Sequence, residues 1–137
     1  MKKSMIALTI AFALVLSLCA CGASAPSTDK VVDDGAALGE GATSFTLEIV
    51  DLDGNTVTAT INTNEKKVGD ALQDLGIIDG ETGSYGLYIK SINGISADYD
   101  KDGTYWAFYI NGEYAMTGAD MTKIEMGATY RFAVEKG

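Results

Sequence analysis

The hydrophobic period of this chain changes twice, and those changes restrict the fold more than any single residue does. Phe45, Leu47 and Ile49 alternate with Thr46 and Glu48, and Val57, Ala59 and Ile61 alternate with Thr56, Thr58 and Thr60. A period of two lays one face of a strand on a core and leaves the other in water. Between these runs, Asp51-Leu52-Asp53-Gly54-Asn55 is turn chemistry, so the pair reads as a β-hairpin. The period then lengthens. Val68, Ala71, Leu72 and Leu75 fall at i, i+3, i+4 and i+7, the stripe of a short amphipathic helix. Thr63 or Asn64 is placed to cap its start. Gly76 suits a left-handed residue at its end, with Ile77 folded back on the last turn. Asp79 to Gly86 reads as a glycine-rich loop. Alternation returns at Leu87 and Ile89, at Tyr105–Ile110 and at Tyr130–Val134, with Asn93-Gly94 and Asn111-Gly112 as tight turns and Glu113–Met116 as a short return strand. A hairpin, one helix and then more short strands is an α+β order. The expected architecture is a β-grasp-like mixed sheet of short strands packed by one helix.

The chain begins differently. Met1-Lys2-Lys3 precedes an apolar run from Met5 to Leu18, the n- and h-regions of a secretory signal. The run is shorter than the roughly 20 apolar residues of a lasting transmembrane helix. Leu18-Cys19-Ala20-Cys21 resembles a bacterial lipobox, which implies that Cys21 is lipidated on sulfur and that the chain is cut just before it. A diacylglyceryl group carries two acyl chains, enough for stable anchoring. The expected organisation is a signal peptide at 1–20, a lipid-anchored flexible linker at 21–43 and one domain at 44–137. The linker assignment rests on its small, polar, glycine-rich composition, which includes the chain's single proline, Pro26. The expected location is extracytoplasmic, on the bacterial cell membrane.

After cleavage, 8 basic side chains face 19 acidic ones, a net charge of −11. Such a chain repels phosphate backbones and anionic headgroups, which argues against nucleic acid as a partner and leaves the lipid as the membrane grip. There is no histidine, and the two cysteines are Cys19 and Cys21. The mature domain therefore lacks the commonest general base, thiolate metal ligands and histidine ligation of a corrin metal. No nucleophile–base pair is legible, so the expectation is a binding protein and not an enzyme.

Two segments carry candidate sites. In Tyr105-Trp106-Ala107-Phe108-Tyr109-Ile110, alternation sends Tyr105, Ala107 and Tyr109 to one face and Trp106, Phe108 and Ile110 to the other. The apolar set is expected in the core against Leu72 and Leu75. Tyr105 and Tyr109, with Tyr114 and Asn111 nearby, would then face outward and could cover a flat hydrophobic ligand. In Asp98-Tyr99-Asp100-Lys101-Asp102-Gly103, aspartates at alternate positions match the first half of an EF-hand loop. The position that needs a bidentate glutamate holds Tyr109, so this is no EF-hand. A different Ca²⁺ loop on Asp98, Asp100 and Asp102, completed by carbonyls or by Glu113, is one reading; a solvated acidic loop is the other. Asp51–Asn55 is explained by its turn, and Gly80–Gly86 lacks the lysine and following helix of a phosphate cradle.

The segment from Gly103 to Ala115, followed by Gly118, resembles the transcobalamin-like C-terminal domain family. Val68-Gly69-Asp70-Ala71-Leu72, Leu75-Gly76 and Asn93-Gly94 fit the same family, and the likeness runs from Ser44 to Lys136. The resemblance implies a β-grasp-like domain of secreted and lipid-anchored bacterial proteins, similar to the smaller domain that covers one face of the corrin in animal cobalamin carriers. Near the C-terminus the family commonly has an acidic residue on each side of a glycine, where this chain has Met126-Gly127-Ala128. Carried over, the resemblance makes Tyr105, Trp106, Tyr109, Asn111, Tyr114 and Gly118 the surface that forms or supports a contact with a corrinoid. The function expected is therefore a monomeric surface lipoprotein that binds a small molecule, with corrinoid the leading ligand. The alternative is a structural or adhesive domain that binds a surface protein or glycan and is stiffened by Ca²⁺ at the aspartate loop.

Overall fold

A computed structural model describes residues 32–137. The signal segment, Cys21 and the first part of the linker lie outside the described residues. In chain order the elements are β1 (Ala37–Leu38), β2 (Thr43–Val50), β3 (Thr56–Thr63), α1 (Val68–Asp74), β4 (Ile78–Gly83), β5 (Gly86–Ile92), β6 (Ile95–Ser96), the single turn α2 (Tyr99–Asp102), β7 (Thr104–Ile110), β8 (Glu113–Tyr114), a 3-10 turn at Ala119–Met121 and β9 (Thr129–Lys136). They form two open sheets, one ordered β1-β3-β2-β9-β7-β8 and a smaller one ordered β4-β5-β6. Parallel β2 and β9 sit at the centre of the larger sheet, each flanked by an antiparallel neighbour. This is the mixed α+β arrangement that the change of period implies, with α1 as its one main helix. No helix among the described residues is long and apolar enough to cross a membrane.

The inner face of the main sheet is built from the alternating positions. Phe45, Leu47, Ile49, Ile61, Tyr130 and Phe132 are buried together with Val68, Ala71 and Leu72 of α1. Phe108 stacks on Phe132 with ring centroids 4.7 Å apart, and Phe45 meets Tyr130 edge-on at 5.2 Å. The phenol of Tyr130 stays satisfied in this setting: it donates to the Lys123 carbonyl at 3.1 Å and accepts from the Glu125 N–H at 2.9 Å. Its burial pushes its pKa up. Trp106, Ile110 and Leu75, expected in the core, are only partly buried against it.

The helix ends as expected. Gly76 takes φ 71°, its N–H bonds the Gln73 carbonyl at 3.0 Å, and the Ile77 N–H bonds the Leu72 carbonyl at 3.0 Å. Its start differs. Neither Thr63 nor Asn64 caps it; the hydroxyl of Thr63 accepts from the Glu65 N–H, and the helix begins after Lys67 with no side-chain cap. Tertiary pairing replaces the cap, because the Val68 N–H donates to the Thr122 carbonyl at 3.0 Å and the Lys66 carbonyl accepts from Ile124 at 2.9 Å.

Three further differences have physical causes. The stretch expected as a loop at Asp79–Gly86 is mostly strand β4, paired with β5. It shows no apolar alternation after Ile78, and its register shifts at Gly80, where a Cβ would lie 2.2 Å from the Tyr88 carbonyl oxygen. The return strand after Asn111-Gly112 stops at Tyr114. Residues 32–42, assigned by composition to a linker, form a strap laid along β3. Thr60 donates to the Ala36 carbonyl at 2.8 Å, and the side chain of Asn93 holds both the N–H and the carbonyl of buried Val32. At Gly39 (φ 76°) a Cβ would lie 2.2 Å from the Asn62 carbonyl oxygen, so only glycine lets the strap approach. Backbone bonds and a few scattered apolar contacts from Val32, Ala36 and Leu38 hold this segment, and their lack of a period is why hydropathy does not reveal it.

Candidate functional site

The outer face of the main sheet carries the residues that alternate with the core. In β7 and β9, Tyr105 pairs with Glu135, Ala107 with Ala133 and Tyr109 with Arg131. Tyr109 donates its phenolic proton to Glu135 Oε1 at 2.6 Å, and Tyr105 donates to Glu135 Oε2 at 3.3 Å. One carboxylate thus holds two tyrosines from the neighbouring strand. The bond from Tyr109 runs diagonally past the alanine pair. Ala107 and Ala133 are only 1% and 8% exposed, although they face away from the core. Their small side chains leave room for the longer ones that close over them. Tyr114, on β8 beside Tyr109, stands with its ring at 85° to that of Tyr109 and centroids 5.6 Å apart. It is 57% exposed.

Electrostatics follow the contacts. The hydrogen bond to Glu135 is the first cause raising the pKa of Tyr109 above the ordinary 10.0, followed by desolvation and the charge of Glu135. For Tyr105 desolvation leads, followed by the charge of Glu135 and the hydrogen bond to it. Both phenols therefore stay protonated at neutral pH and can donate. Arg131 is occupied elsewhere, with its Nε 2.7 Å from Glu48 Oε2 on β2.

The six residues proposed for ligand contact do not form one surface. Tyr105, Tyr109 and Tyr114 gather. Trp106 lies on the opposite face of β7, partly buried against the core, and its indole N–H is buried without a partner. Asn111 takes φ 50° in the β7–β8 turn and is tied to β9: it donates its N–H to the Thr129 carbonyl at 2.8 Å and accepts from the Thr129 N–H at 2.9 Å. That role is to hold the hairpin in place. Gly118 precedes the 3-10 turn, where its carbonyl accepts from the Thr122 hydroxyl at 2.9 Å. Glu135, which organises the cluster, was not picked out from the sequence. Its only signal there is its place on the outward phase of β9, and its partners become visible only with the register of β9 on β7.

The aspartate loop spends its carboxylates on its own backbone. Asp98 caps α2 by accepting from the Asp100 N–H at 3.0 Å. Asp102 accepts from the hydroxyl and the N–H of Thr104, which hold its pKa below the usual carboxylate value. Among the described residues no three His, Cys, Asp or Glu side chains come together in a group that could hold a metal. The spacing of Asp98, Asp100 and Asp102 thus forms a short turn capped by Asp98, in which a bound cation would compete with these backbone bonds.

A second concave region lies under the strap. A cavity of about 260 Å³ is lined by Val32, Asp33, Ala36, Leu38, Gly39, Leu75 and Ile77. It exists because the strap crosses the C-terminal end of α1, a feature not visible in the sequence.

Comparisons with known proteins bear on the fold. A family model described as a domain of unknown function, DUF4430, matches residues 65–136. A crystal structure from Ruminococcus gnavus ATCC 29149, described as that of a "putative metal binding protein", is 27% identical, with a TM-score of 0.66 over 70% of this chain and 99% of that one. Haptocorrin in complex with Cbi is 21% identical, with a TM-score of 0.52 over 72% of this chain and 26% of that one, a likeness of fold. No curated protein sequence matches.

Proposed function

Because this chain belongs to the DUF4430 family, whose description names no activity, we propose that it works through the outer face of its main sheet, as a non-catalytic module that binds a small molecule at the cell envelope. The leading ligand is a corrinoid. The observation that carries the reading is the convergence of Tyr105 and Tyr109 on Glu135, with Tyr114 packed edge-on against Tyr109, on a face the core does not use. Tyrosines held this way are stiff and broad and lose little entropy on contact. The fold shared with haptocorrin supports a ligand-covering role, and the absence of histidine from the chain supports binding without reaction. A bound corrinoid would keep its own lower ligand or water, since this domain has no imidazole to supply.

Titrating the purified protein with cobalamin and cobinamide tests the reading. The expected result is a saturable change in the visible spectrum together with shifts of the Tyr105, Tyr109 and Tyr114 ring signals. No change up to high micromolar ligand overturns it. Anchoring through Cys21 has its own test, mass spectrometry of the N-terminal peptide from membranes. A diacylated Cys21 is expected, and an intact leader in the cytosol overturns the envelope location.

The likeness to the Ruminococcus protein supports a second reading, a structural or adhesive surface domain stiffened by Ca²⁺ at Asp98–Asp102. A native state that binds calcium must gain stability with it by mass action. A melting temperature that is the same in millimolar Ca²⁺ and in EDTA removes that reading.

A further inference from the structure

We infer that Tyr105, Tyr109, Tyr114 and Glu135 form a site for an organic cation, a substituted ammonium group. The inference rests on reading this face as the ligand surface and adds the charge of what it takes.

Three observations point the same way. Glu135 is held in place by two phenols, one on each oxygen, yet no Lys or Arg pairs with it among the described residues. Arg131, which shares the face of Glu135 on β9, is bonded to Glu48. The carboxylate is therefore positioned and uncompensated. Beside it, Tyr109 and Tyr114 pack edge to face, and the exposed ring of Tyr114 offers a π face to a ligand. The face of an aromatic ring carries the negative end of its quadrupole and attracts a cation within about 6 Å of the centroid. The third observation is charge at long range: the chain carries a net charge of −9 with its leader included, which raises the local concentration of cations.

The chemistry also selects the kind of cation. Ca²⁺ takes about six to eight oxygen ligands, and Mg²⁺ a tight octahedron. One carboxylate with phenols already committed to it cannot supply those, and no three acidic side chains form a group here. An ammonium carrying alkyl groups needs no such shell. It is weakly hydrated, spreads its charge over CH groups and suits an aromatic face with one carboxylate as counter-ion.

The test compares choline with 3,3-dimethylbutan-1-ol, its neutral isostere, on the full chain in non-ionic detergent, read by the Tyr109 and Tyr114 ring signals. Choline should saturate, and the neutral alcohol should bind about tenfold more weakly, the size of an exposed cation–π contact and an ion pair together. Glu135→Gln keeps an acceptor for the phenols and removes the charge, so it should lower choline affinity by a similar factor. Tyr114→Ala, at an exposed position, should also lower it. If Glu135→Gln does not fold, salt replaces it. Affinity of the unaltered protein for choline should fall from about 0.01 M to about 1 M salt, as the Debye length shrinks from about 30 to about 3 Å. Equal binding of the two isosteres, or choline binding indifferent to both charge removal and salt, overturns the inference. If corrinoids move these rings and choline does not, the cation site falls while the ligand-face reading stands. Choline binding without corrinoid binding does the reverse to the corrinoid assignment.

Discussion

On the inner face of the main sheet Phe108 stacks on Phe132 at 4.7 Å, while one residue further along, on the outer face, Tyr109 reaches Glu135 through a 2.6 Å hydrogen bond. The same two strands build both faces. The inner one is held by volume and apolar burial, where every atom removed leaves a void. The outer one is held by polar contacts that water can replace at small net cost. Stability should therefore concentrate on one side of β7 and β9, and recognition on the other.

That contrast is open to direct attack. The largest effect should come from Phe132→Ala, which empties the centre of the aromatic stack; urea unfolding should show a loss of about 3–5 kcal/mol. A much smaller loss would mean that the inner face repacks freely. Next in size is Gly69→Ala. Helix propensity alone would favour alanine by up to about 1 kcal/mol. The new Cβ, however, would lie 2.9 Å from both the N and the Cα of Asp120, which is backbone and cannot swing away. Overpacking of this kind costs about 1–3 kcal/mol, so the net change should be a loss. A gain would show that the 3-10 turn at Ala119–Met121 yields, and that α1 is less firmly seated than its burial implies.

The smallest effect on folding should come from the outer face, and it should depend on pH. In the folded chain the phenol of Tyr109 titrates above 10.0, first because of its bond to Glu135. Its stabilising contribution is then complete below that ordinary value and is lost as pH rises through the raised one, because the unfolded chain gives up its proton earlier. Tyr109→Phe has no such proton. Urea midpoints followed from about pH 8 to about pH 11 should fall less steeply in the variant than in the unaltered protein. Parallel curves would dissolve the coupling between Tyr109 and Glu135 and weaken the case for a pre-set ligand face.

Residues that alternate or recur in a single segment were the ones open to reading. Phe45 to Ile49, Val57 to Ile61 and the stripe from Val68 to Leu75 each carry their own period, and Gly76 with Ile77 ends the helix as the local pattern requires. Segments held by bonds to distant backbone gave no such signal. The strap from Val32 to Gly41 depends on Asn93 and on β3, and β4 depends on β5 across a shifted register. The aspartates at 98, 100 and 102 show a further limit of local reading. Their spacing suits a metal loop, yet it also suits a short turn that Asp98 caps and in which Asp102 accepts from the Thr104 N–H.

The candidate site divides in the same way. Strand alternation was enough to turn Tyr105 and Tyr109 away from the core, since that choice needs only the period of one strand. Tyr114 beside Tyr109, and Glu135 between Tyr105 and Tyr109, depend on which strand lies next to which and in what register. The sequence by itself determined the first hairpin, α1, most of the buried set and the outward turn of Tyr105 and Tyr109, because these follow from local periodicity and from water's exclusion of apolar surface. Only the tertiary structure decided that a glutamate near the C-terminus would meet tyrosines some thirty residues earlier, because pairing across strands is fixed by the packing of the whole sheet and by no single segment of it.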